Sequence, residues 1–247
     1  MTKAPKNLVG GGADPNVPEQ LLLALQTEPG ADFATFVTGD NQEVLAQLQS
    51  QTRGIGEPYL FVHGAAGTGK THLLQSACRG AVAQGTQAQY LPLKHAGLLP
   101  AVLEELDRLD LVALDDLQAV AGDAEWEQQL FGLFNRIREQ RRRLLVSSDR
   151  PLPELPIALS DLRSRLGWGP SYRLKPLDEQ CMEQLLIGHA GRRGLTLDSE
   201  TVRYIMQHHT RDATGLISLL NALDHASLKH KRRPSRRLVR DLLLGNL

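Results

Sequence analysis

The sequence is poor in aromatic residues and cysteine, and it carries no net charge. Only 4% of its 247 residues are aromatic, so aliphatic side chains must fill most of the core. Cys78 and Cys181 stand far apart without a CxxC spacing or a histidine pattern, which argues against a disulfide framework and a zinc site and favours a reducing cytoplasm. The 28 basic and 28 acidic residues balance. This balance excludes a global field that would draw the chain onto a polyanion or a membrane.

Long hydrophobic runs are also missing. No stretch approaches the roughly 20 apolar residues of a membrane-spanning helix, and the polar, Gly- and Pro-rich first residues do not have the apolar run of a secretory signal. We therefore expect no membrane partner and a cytoplasmic location. A basic run at Lys229–Arg233 reads as a solvated linker or as a patch for nonspecific DNA contact. DNA contact is accordingly expected to be indirect or weak.

Strand-like and helix-like runs alternate after Pro58. Continuous apolar runs predict strands at Tyr59–His63, Ala88–Leu93, Leu109–Asp115, Leu144–Ser148 and Tyr172–Leu174. Helices are expected from Asp40 or Asn41 (either of which could cap the helix), from Lys70, up to Asp107 and over Glu125–Gln140. This order predicts an α/β fold, a parallel sheet with helices on both faces.

Composition divides the chain into three parts. Residues 1–30, rich in Gly and Pro, are expected to form a flexible N-terminal tail, and residues 31–175 an αβα domain. After Pro176 the apolar spacing is helical throughout, so residues 176–247 are expected to form a small all-helical domain.

The clearest motif is Gly64-Ala-Ala-Gly-Thr-Gly-Lys-Thr71, which fits G-x-x-x-x-G-K-[ST] between an apolar strand and a helix. Successive glycines let backbone N–H groups surround phosphates, and the following helix adds its positive end. Lys70 is expected at the β- and γ-phosphates and Thr71 at Mg²⁺. The residues expected to bind ADP or ATP here are Gly64, Gly67, Thr68, Gly69, Lys70, Thr71 and His72. The alternative is a glycine-rich turn without a ligand.

A second motif is an apolar strand that ends in two carboxylates, Asp115 and Asp116. After a phosphate-binding loop, Asp115 would meet Mg²⁺ directly or through water, and Asp116 would orient the attacking water. The alternative for such an acidic pair is a solvated turn or a helix cap.

Three further phrases resemble the DnaA-related AAA+ family, which includes the bacterial replication initiator DnaA and its shorter relative Hda. The segment Phe33–Asn41 is similar to the one that lies against the adenine, which implies nucleotide contacts for Phe36 and Val37. Leu145–Pro151 resembles the sensor 1 strand and loop and points to Asp149. Asp161–Gly169 resembles the box with the arginine finger and points to Arg165. The resemblance implies an AAA+ P-loop NTPase with a helical lid.

Three features favour the shorter, Hda type of this family. We expect no helix-turn-helix DNA-binding domain after the lid, because the sequence ends at Leu247. Between Leu93 and Leu109 there is space for about one helix, shorter than the initiator's insertion. The tail carries Gln20-Leu-Leu-Leu-Ala-Leu25, which resembles peptides that dock on the DNA polymerase sliding clamp.

The residues of this peptide suit binding to the clamp. A short extended segment on a tether would present Gln20 for amide hydrogen bonds and the side chains of Leu21, Leu23 and Leu25 to an apolar pocket. The alternative is a short helix folded against the AAA+ body.

The lid departs from the family pattern at the position of the sensor 2 arginine. The matching position reads Thr214; Arg211, three residues earlier, could replace the arginine only if the helix started differently. Loss of that cation would weaken contact with the β- and γ-phosphates, so ADP is the expected ligand and any intrinsic hydrolysis is expected to be weak or absent.

These readings support three hypotheses for function. The first is a regulator that is tethered to the clamp, at the nucleoid, and that stimulates ATP hydrolysis by DnaA through Arg165. The second is an autonomous ATPase of the helicase-loader type, and the third a nucleotide-bound adaptor at the clamp. The expected partners are the sliding clamp (β subunit) and DnaA, and a homo-oligomer is compatible with each hypothesis.

Overall fold

The computed structural model describes residues 31–208, 212–230 and 232–244. Its centre is a five-stranded sheet in the order β2-β3-β4-β1-β5, with every neighbouring pair parallel. The strands are β1 (Tyr59–His63), β2 (Ala88–Pro92), β3 (Leu111–Asp115), β4 (Arg143–Ser148) and β5 (Ser171–Arg173). The parallel α/β sheet expected from the sequence is confirmed.

Helices cover both faces of the sheet. The helices of this part are α1 (Gln42–Thr52), α2 (Lys70–Ala83), α3 (Ala124–Glu139) and α4 (Ser160–Leu166). Alternate residues of β3 divide between two cores: Leu111 and Ala113 pack with α1 and α2, and Val112 and Leu114 with α3 and α4. This alternation explains why the strand is apolar at every position, since both faces are buried.

A helical cluster follows the sheet. It contains α5 (Glu179–Arg192), α6 (Ser199–His208), α7 (Ala213–His230) and α8 (Arg236–Leu243). Their apolar faces form a third core around Leu186, Ile205, Leu220 and Leu223, each fully buried. We call these four helices the lid. None of the helices in the described ranges is long and apolar enough to span a membrane.

The segment between β2 and β3 corrects one expectation. No helix leads up to Asp107; the chain forms two short 3-10 turns instead, at Pro100–Leu103 and Leu106–Arg108. Glu105, between them, adopts a left-handed conformation with φ 68°. Glu105, in its left-handed conformation, interrupts the helical path between the two turns, so the apolar side chains are buried without a continuous helix.

Two details at the start of the chain also differ. Phe33–Thr35 forms a 3-10 turn rather than an extended piece. Asn41 precedes α1, but its side chain does not cap that helix. Its amide donates to the carbonyls of Thr38 and Lys175, and its oxygen accepts the Lys175 N–H at 2.8 Å. Asn41 therefore ties the start of α1 to the segment that leads into the lid.

Candidate functional site

The phosphate-loop motif forms the connection between β1 and α2. Gly67 and Gly69 have φ of 76° and 94°, a conformation that side chains with a Cβ avoid. Lys70 is buried, and its ammonium donates to the carbonyls of Gly64 (2.7 Å) and Ala65 (3.0 Å). Burial lowers the pKa of Lys70, and the carboxylates of the neighbouring acidic residues oppose this shift. The loop therefore holds a cation at the centre of a curled backbone.

Asp115, the last residue of β3, lies directly beside this loop. It is fully buried, and its Oδ2 accepts hydrogen bonds from the hydroxyls of Thr71 (2.6 Å) and Tyr90 (2.8 Å). Ser147 of β4 donates to its Oδ1. Burial and the Asp115 carboxylate raise the pKa of Tyr90, which keeps its hydroxyl a donor. Thr71 and Asp115, the two residues expected at Mg²⁺, are thus in direct contact.

Asp116 follows in a left-handed conformation, with φ 63°. Its carboxylate accepts from the Gln118 amide at 2.9 Å and pairs with the Lys94 ammonium at 2.6 Å. Its backbone N–H donates to Ser147. The hydrogen bond to Asp116 raises the pKa of Lys94. A cation thus lies against the carboxylate that the sequence assigns to the attacking water.

Asp149 lies just after β4, near the same edge of the sheet. Its N–H donates to the Gln118 side chain at 3.0 Å, and its carboxylate receives two hydrogen bonds from Arg150. The hydrogen bond from Arg150 lowers the pKa of Asp149. Gln118 therefore connects Asp116 to Asp149.

The segment expected at the adenine packs between the loop and the lid. A Cβ on Gly69 would lie 2.8 Å from the Phe36 ring, which also lies 5.8 Å from the His72 ring. Val37, the next residue, packs against the lid core. Nε2 of His72 lies 2.9 Å from the Asp32 carbonyl, which holds this segment to the start of α2.

The lid reaches the phosphate loop through the start of α7. A Cβ on Gly67 would lie 3.2 Å from Cβ of Asp212 and 3.7 Å from Oγ1 of Thr214. Asp212 caps α7 by accepting the Gly215 N–H at 2.7 Å. The lid thus places a threonine hydroxyl and a carboxylate next to the loop; Arg211 lies outside the described residues.

Arg165 lies at the other end of the sheet. It is near the end of α4, and its guanidinium carbon is 4.0 Å from the centre of the Trp168 ring. Trp168 and Gly169 lead into β5 at the level of Tyr59, the first residue of β1, whereas the phosphate loop follows the last residue of β1. Among the described residues, the structure therefore brings the phosphate loop, Asp115, Asp116 and Asp149 to one edge of the sheet and leaves Arg165 apart from them.

Sequence reasoning missed several residues of the site. Lys94, Tyr90, Gln118 and Ser147 all contact Asp115 or Asp116. Lys94, Gln118 and Ser147 lie at or near the carboxyl ends of β2, β3 and β4, where parallel strands bring side chains together. Tyr90 reaches Asp115 from the middle of β2. Polar residues at the ends of apolar runs were the available signal.

The loop fits a nucleotide with a magnesium ion. Its curled backbone and buried Lys70 suit anionic phosphates, and the adjacent Thr71 hydroxyl and Asp115 carboxylate are oxygen ligands of the kind Mg²⁺ prefers. The described residues contain no group of three or more His, Cys, Asp or Glu placed to hold a metal on their own. The expected clamp-binding residues, Gln20, Leu21, Leu23 and Leu25, lie outside the described residues.

Two family models match the chain in succession. The bacterial DnaA ATPase domain matches residues 28–172, more than half of the chain, and the lid domain of Hda matches residues 178–243.

Solved structures have the same fold. Domain III of the replication initiation protein DnaA from Thermotoga maritima is 22% identical with a TM-score of 0.77, over 89% of this chain and 98% of that one. AMPPCP-bound DnaA from Aquifex aeolicus is also 22% identical, with a TM-score of 0.69 over 82% and 68%. The RuvB branch migration motor from Thermotoga maritima is more distant, at 15% identity and a TM-score of 0.62 over 84% and 71%. The chain belongs to the bacterial DnaA-related family of AAA+ replication-initiation proteins and carries a lid of the Hda type.

Proposed function

We propose that this protein is an ADP-binding regulator that stimulates ATP hydrolysis by DnaA and thereby prevents re-initiation of replication. Membership of the DnaA-related family supports a place in replication initiation. In this proposal the chain is a catalytic partner more than an independent enzyme. It supplies Arg165 to the nucleotide site of ATP-bound DnaA, which then hydrolyses its ATP and loses initiation competence.

The position of Arg165 carries the proposal. Arg165 belongs to α4, and the turn after this helix packs on Tyr59 at the start of β1, whereas the phosphate loop follows the end of β1; the strand itself spans about 13 Å. Its guanidinium lies on a surface formed by α3 and α4, 6.0 Å from the Phe131 ring. A guanidinium so placed cannot serve its own nucleotide, but it can stabilise phosphate charge in a neighbouring subunit.

The phosphate loop supports nucleotide binding. Gly64, Gly67 and Gly69 shape the backbone around the phosphates, and Lys70 exchanges its carbonyl partners for phosphate oxygens. Thr71 and Asp115 would hold Mg²⁺, which neutralises phosphate charge when it is bound. Thr214 in place of a sensor 2 arginine supports ADP as the resident nucleotide.

The clamp peptide would bring this regulator to DNA. Gln20 would form amide hydrogen bonds on the sliding clamp, and Leu21, Leu23 and Leu25 would enter an apolar pocket. A clamp loaded on replicated DNA would then present the regulator where DnaA is to be inactivated.

Substitution of Arg165 tests this proposal. We expect Arg165→Ala to lower the DnaA turnover stimulated by this protein by at least about 100-fold, because an arginine finger contributes at least that much to phosphoryl transfer. The measurement is phosphate release by ATP-loaded DnaA in the presence of DNA-loaded clamp. Gln20→Ala with Leu23→Ala is the matched variant that should lose clamp binding while keeping Arg165. Unchanged stimulation by Arg165→Ala would remove the finger role.

The complete phosphate-loop motif together with the acidic pair after β3 favours a second candidate, an autonomous ATPase of the helicase-loader type. Lys70, Thr71, Asp115 and Asp116 lie together at the edge of the sheet. This candidate predicts ATP turnover by the purified protein alone, accelerated by single-stranded DNA or helicase and lost in Lys70→Ala. Failure to bind the clamp, combined with such turnover, would favour it over the regulator.

A further inference from the structure

The guanidinium groups of two arginines lie against the ring of one exposed tryptophan, Trp168. The guanidinium carbon of Arg165 lies 4.0 Å from the centre of the Trp168 ring, and that of Arg138 lies 4.3 Å from it. Both distances are within the ~6 Å over which a cation is attracted to an aromatic ring. Within the described ranges, neither guanidinium forms an ion pair at 4.0 Å or less. Two cations without an ion pair in the described ranges therefore lie against the same indole.

The indole ring of Trp168 packs against aromatic residues of the core. Although Trp168 is 52% exposed, its ring packs edge-on against Phe134 at 6.5 Å, and Phe134 packs edge-on against Tyr59 at 5.1 Å. Tyr59 also donates its hydroxyl to the Leu166 carbonyl at 3.0 Å. A Cβ on Gly169 would lie 2.7 Å from the Tyr59 carbonyl oxygen, so the backbone beside Trp168 lies directly on β1. One edge of the ring therefore packs on the aromatic core, and the backbone beside it is held against β1.

The side chains of Arg138 and Arg165 line the same surface pocket. This pocket, about 420 Å³ in volume, is lined by Asn135, Arg138, Glu139 and Arg165. It therefore contains two cations and one carboxylate. Two other arginines near the end of α3 have acidic partners, since Arg136 bonds to Asp107 and Arg142 to Asp110.

We propose that Arg138 and Arg165 together bind the terminal phosphates of a nucleoside triphosphate held by a neighbouring AAA+ subunit, with Trp168 as the positioning residue for both. This inference rests on the proposed function and adds Arg138 and Trp168 to it. Both guanidinium groups line the pocket described above, so an anion bound in that pocket would be attracted by both positive charges. Each can also present a pair of N–H groups to phosphate oxygens.

The test uses the full chain with ATP-loaded DnaA and DNA-loaded clamp. We expect Arg138→Ala to lower the maximal stimulated rate of phosphate release by at least about 10-fold, with less than about a 3-fold change in the concentration for half-maximal stimulation. Arg138→Lys, which keeps the charge without the planar group, should recover only part of the rate. Trp168→Leu should lower the rate in the same way, and Trp168→Phe, which keeps an aromatic face, less so. Arg141→Ala is the matched control: Arg141 lines a pocket together with Trp168, but the cation–π contacts to that ring in the described residues come from Arg138 and Arg165.

The outcomes separate this inference from the proposed function. If the unsubstituted protein fails to stimulate DnaA, the proposed function fails, and this inference with it. If Arg165→Ala abolishes stimulation while Arg138→Ala and Trp168→Leu match Arg141→Ala, the inference alone is overturned. A change confined to the half-maximal concentration would also overturn it, because it would make Arg138 a docking residue without a role at the phosphates.

A spectroscopic readout is independent of turnover. Trp126 and Trp168 are the two tryptophans of the chain, so Trp126→Phe leaves Trp168 as the only one. We expect its emission to change when DnaA carrying a non-hydrolysable triphosphate is added, and to change at least 3-fold less with ADP-loaded DnaA. Equal changes with both nucleotides would show that the indole senses docking and not the terminal phosphate, which would overturn its positioning role.

Discussion

At the residue scale, one buried carboxylate organises the loops around α3 and α4. Glu127 is 1% exposed, and its oxygens accept the N–H groups of Gly122, Ala158 and Leu159 at 2.6–3.0 Å. It therefore links the loop after Asp116 to the start of the helix that carries Arg165. The Glu127 side chain thus connects the segment after Asp116 with the segment that leads into α4, the helix of Arg165.

We expect Glu127→Gln to destabilise the protein by about 2–4 kcal/mol, because an amide NH₂ would face backbone donors in a buried site. Urea unfolding measures the loss. Glu125→Gln, on the same first turn but exposed, should cost less than about 1 kcal/mol. Equal losses in the two variants would contradict the organising role of Glu127.

His189 of the lid makes stability depend on pH. Burial, assisted by the nearby charges of Arg192, Arg193 and His72, lowers the pKa of His189 from 6.5 to about 4. Because the unfolded chain takes up this proton more readily than the folded protein, stability is greatest above pH 6.5 and falls between pH 6.5 and 4.

We expect His189→Gln to remove about 2 kcal/mol of this pH-dependent loss, measured as the difference in unfolding free energy between pH 7 and 4.5. His225→Gln, an exposed histidine of the same lid, is the control and should leave the pH profile unchanged. A profile that is the same in both variants would assign the acid sensitivity to other groups.

At the element scale, the turn between α4 and β5 depends on close backbone packing. A Cβ on Gly169 would lie 2.4 Å from Cδ1 of Tyr59 and 2.7 Å from its carbonyl oxygen, and the carbonyl belongs to the sheet. The turn cannot shift away without moving Trp168 and the end of α4. The position of Arg165 is therefore set by how tightly this element lies on β1.

We expect Gly169→Ala to destabilise the protein by about 2–3 kcal/mol through this overpacking. Gly191→Ala is the control, and we expect the opposite effect. Gly191 lies in α5 with nothing within 4 Å of an added Cβ. Alanine should therefore raise the free energy of unfolding by about 0.5–1 kcal/mol through its higher helix propensity. Thermal unfolding of the two variants measures both effects. A gain in stability at Gly169 would show that the turn is less closely packed than the structure indicates.

At the scale of the whole molecule, the candidate nucleotide site joins the sheet to the lid. Phe36 packs on Gly69 of the loop, Val37 on the lid core, and Asp212 on Gly67. A nucleotide bound among these groups would be contacted by both parts of the fold. Binding should therefore stabilise the molecule as a whole.

We expect ADP at about 100 times its dissociation constant to stabilise the protein by ~2.7 kcal/mol, seen as a rise in Tm. Lys70→Ala should lose most of this rise, because the phosphates lose their buried cation. Lys229→Ala, an exposed lysine in the last turn of α7, should keep it. An ADP-dependent rise that survives in Lys70→Ala would place nucleotide binding outside the loop.

The local features of the fold could be predicted from the sequence. The strand Tyr59–His63, the loop after it and the start of α2 at Lys70 match the expectation, because strand, turn and helix are consecutive and each follows from its own residues. The parallel sheet was also predictable, since continuous apolar runs are typical of strands that are buried on both faces. The turns at Pro100–Leu103 were not, because the same apolar residues would also suit a helix.

The contacts that join distant residues were decided only by the tertiary structure. Lys94 follows β2 and Asp116 follows β3, and it is the pairing of these two strands, with Pro92 opposite Asp115, that brings Lys94 to Asp116. The stacking of Arg138 and Arg165 on Trp168 likewise requires α3 and α4 to pack side by side. The sequence by itself determined the phosphate loop and the two acidic residues after β3, because these follow from local pattern. Which side chains surround them, and where Arg165 points, depended on long-range packing of the strands and helices.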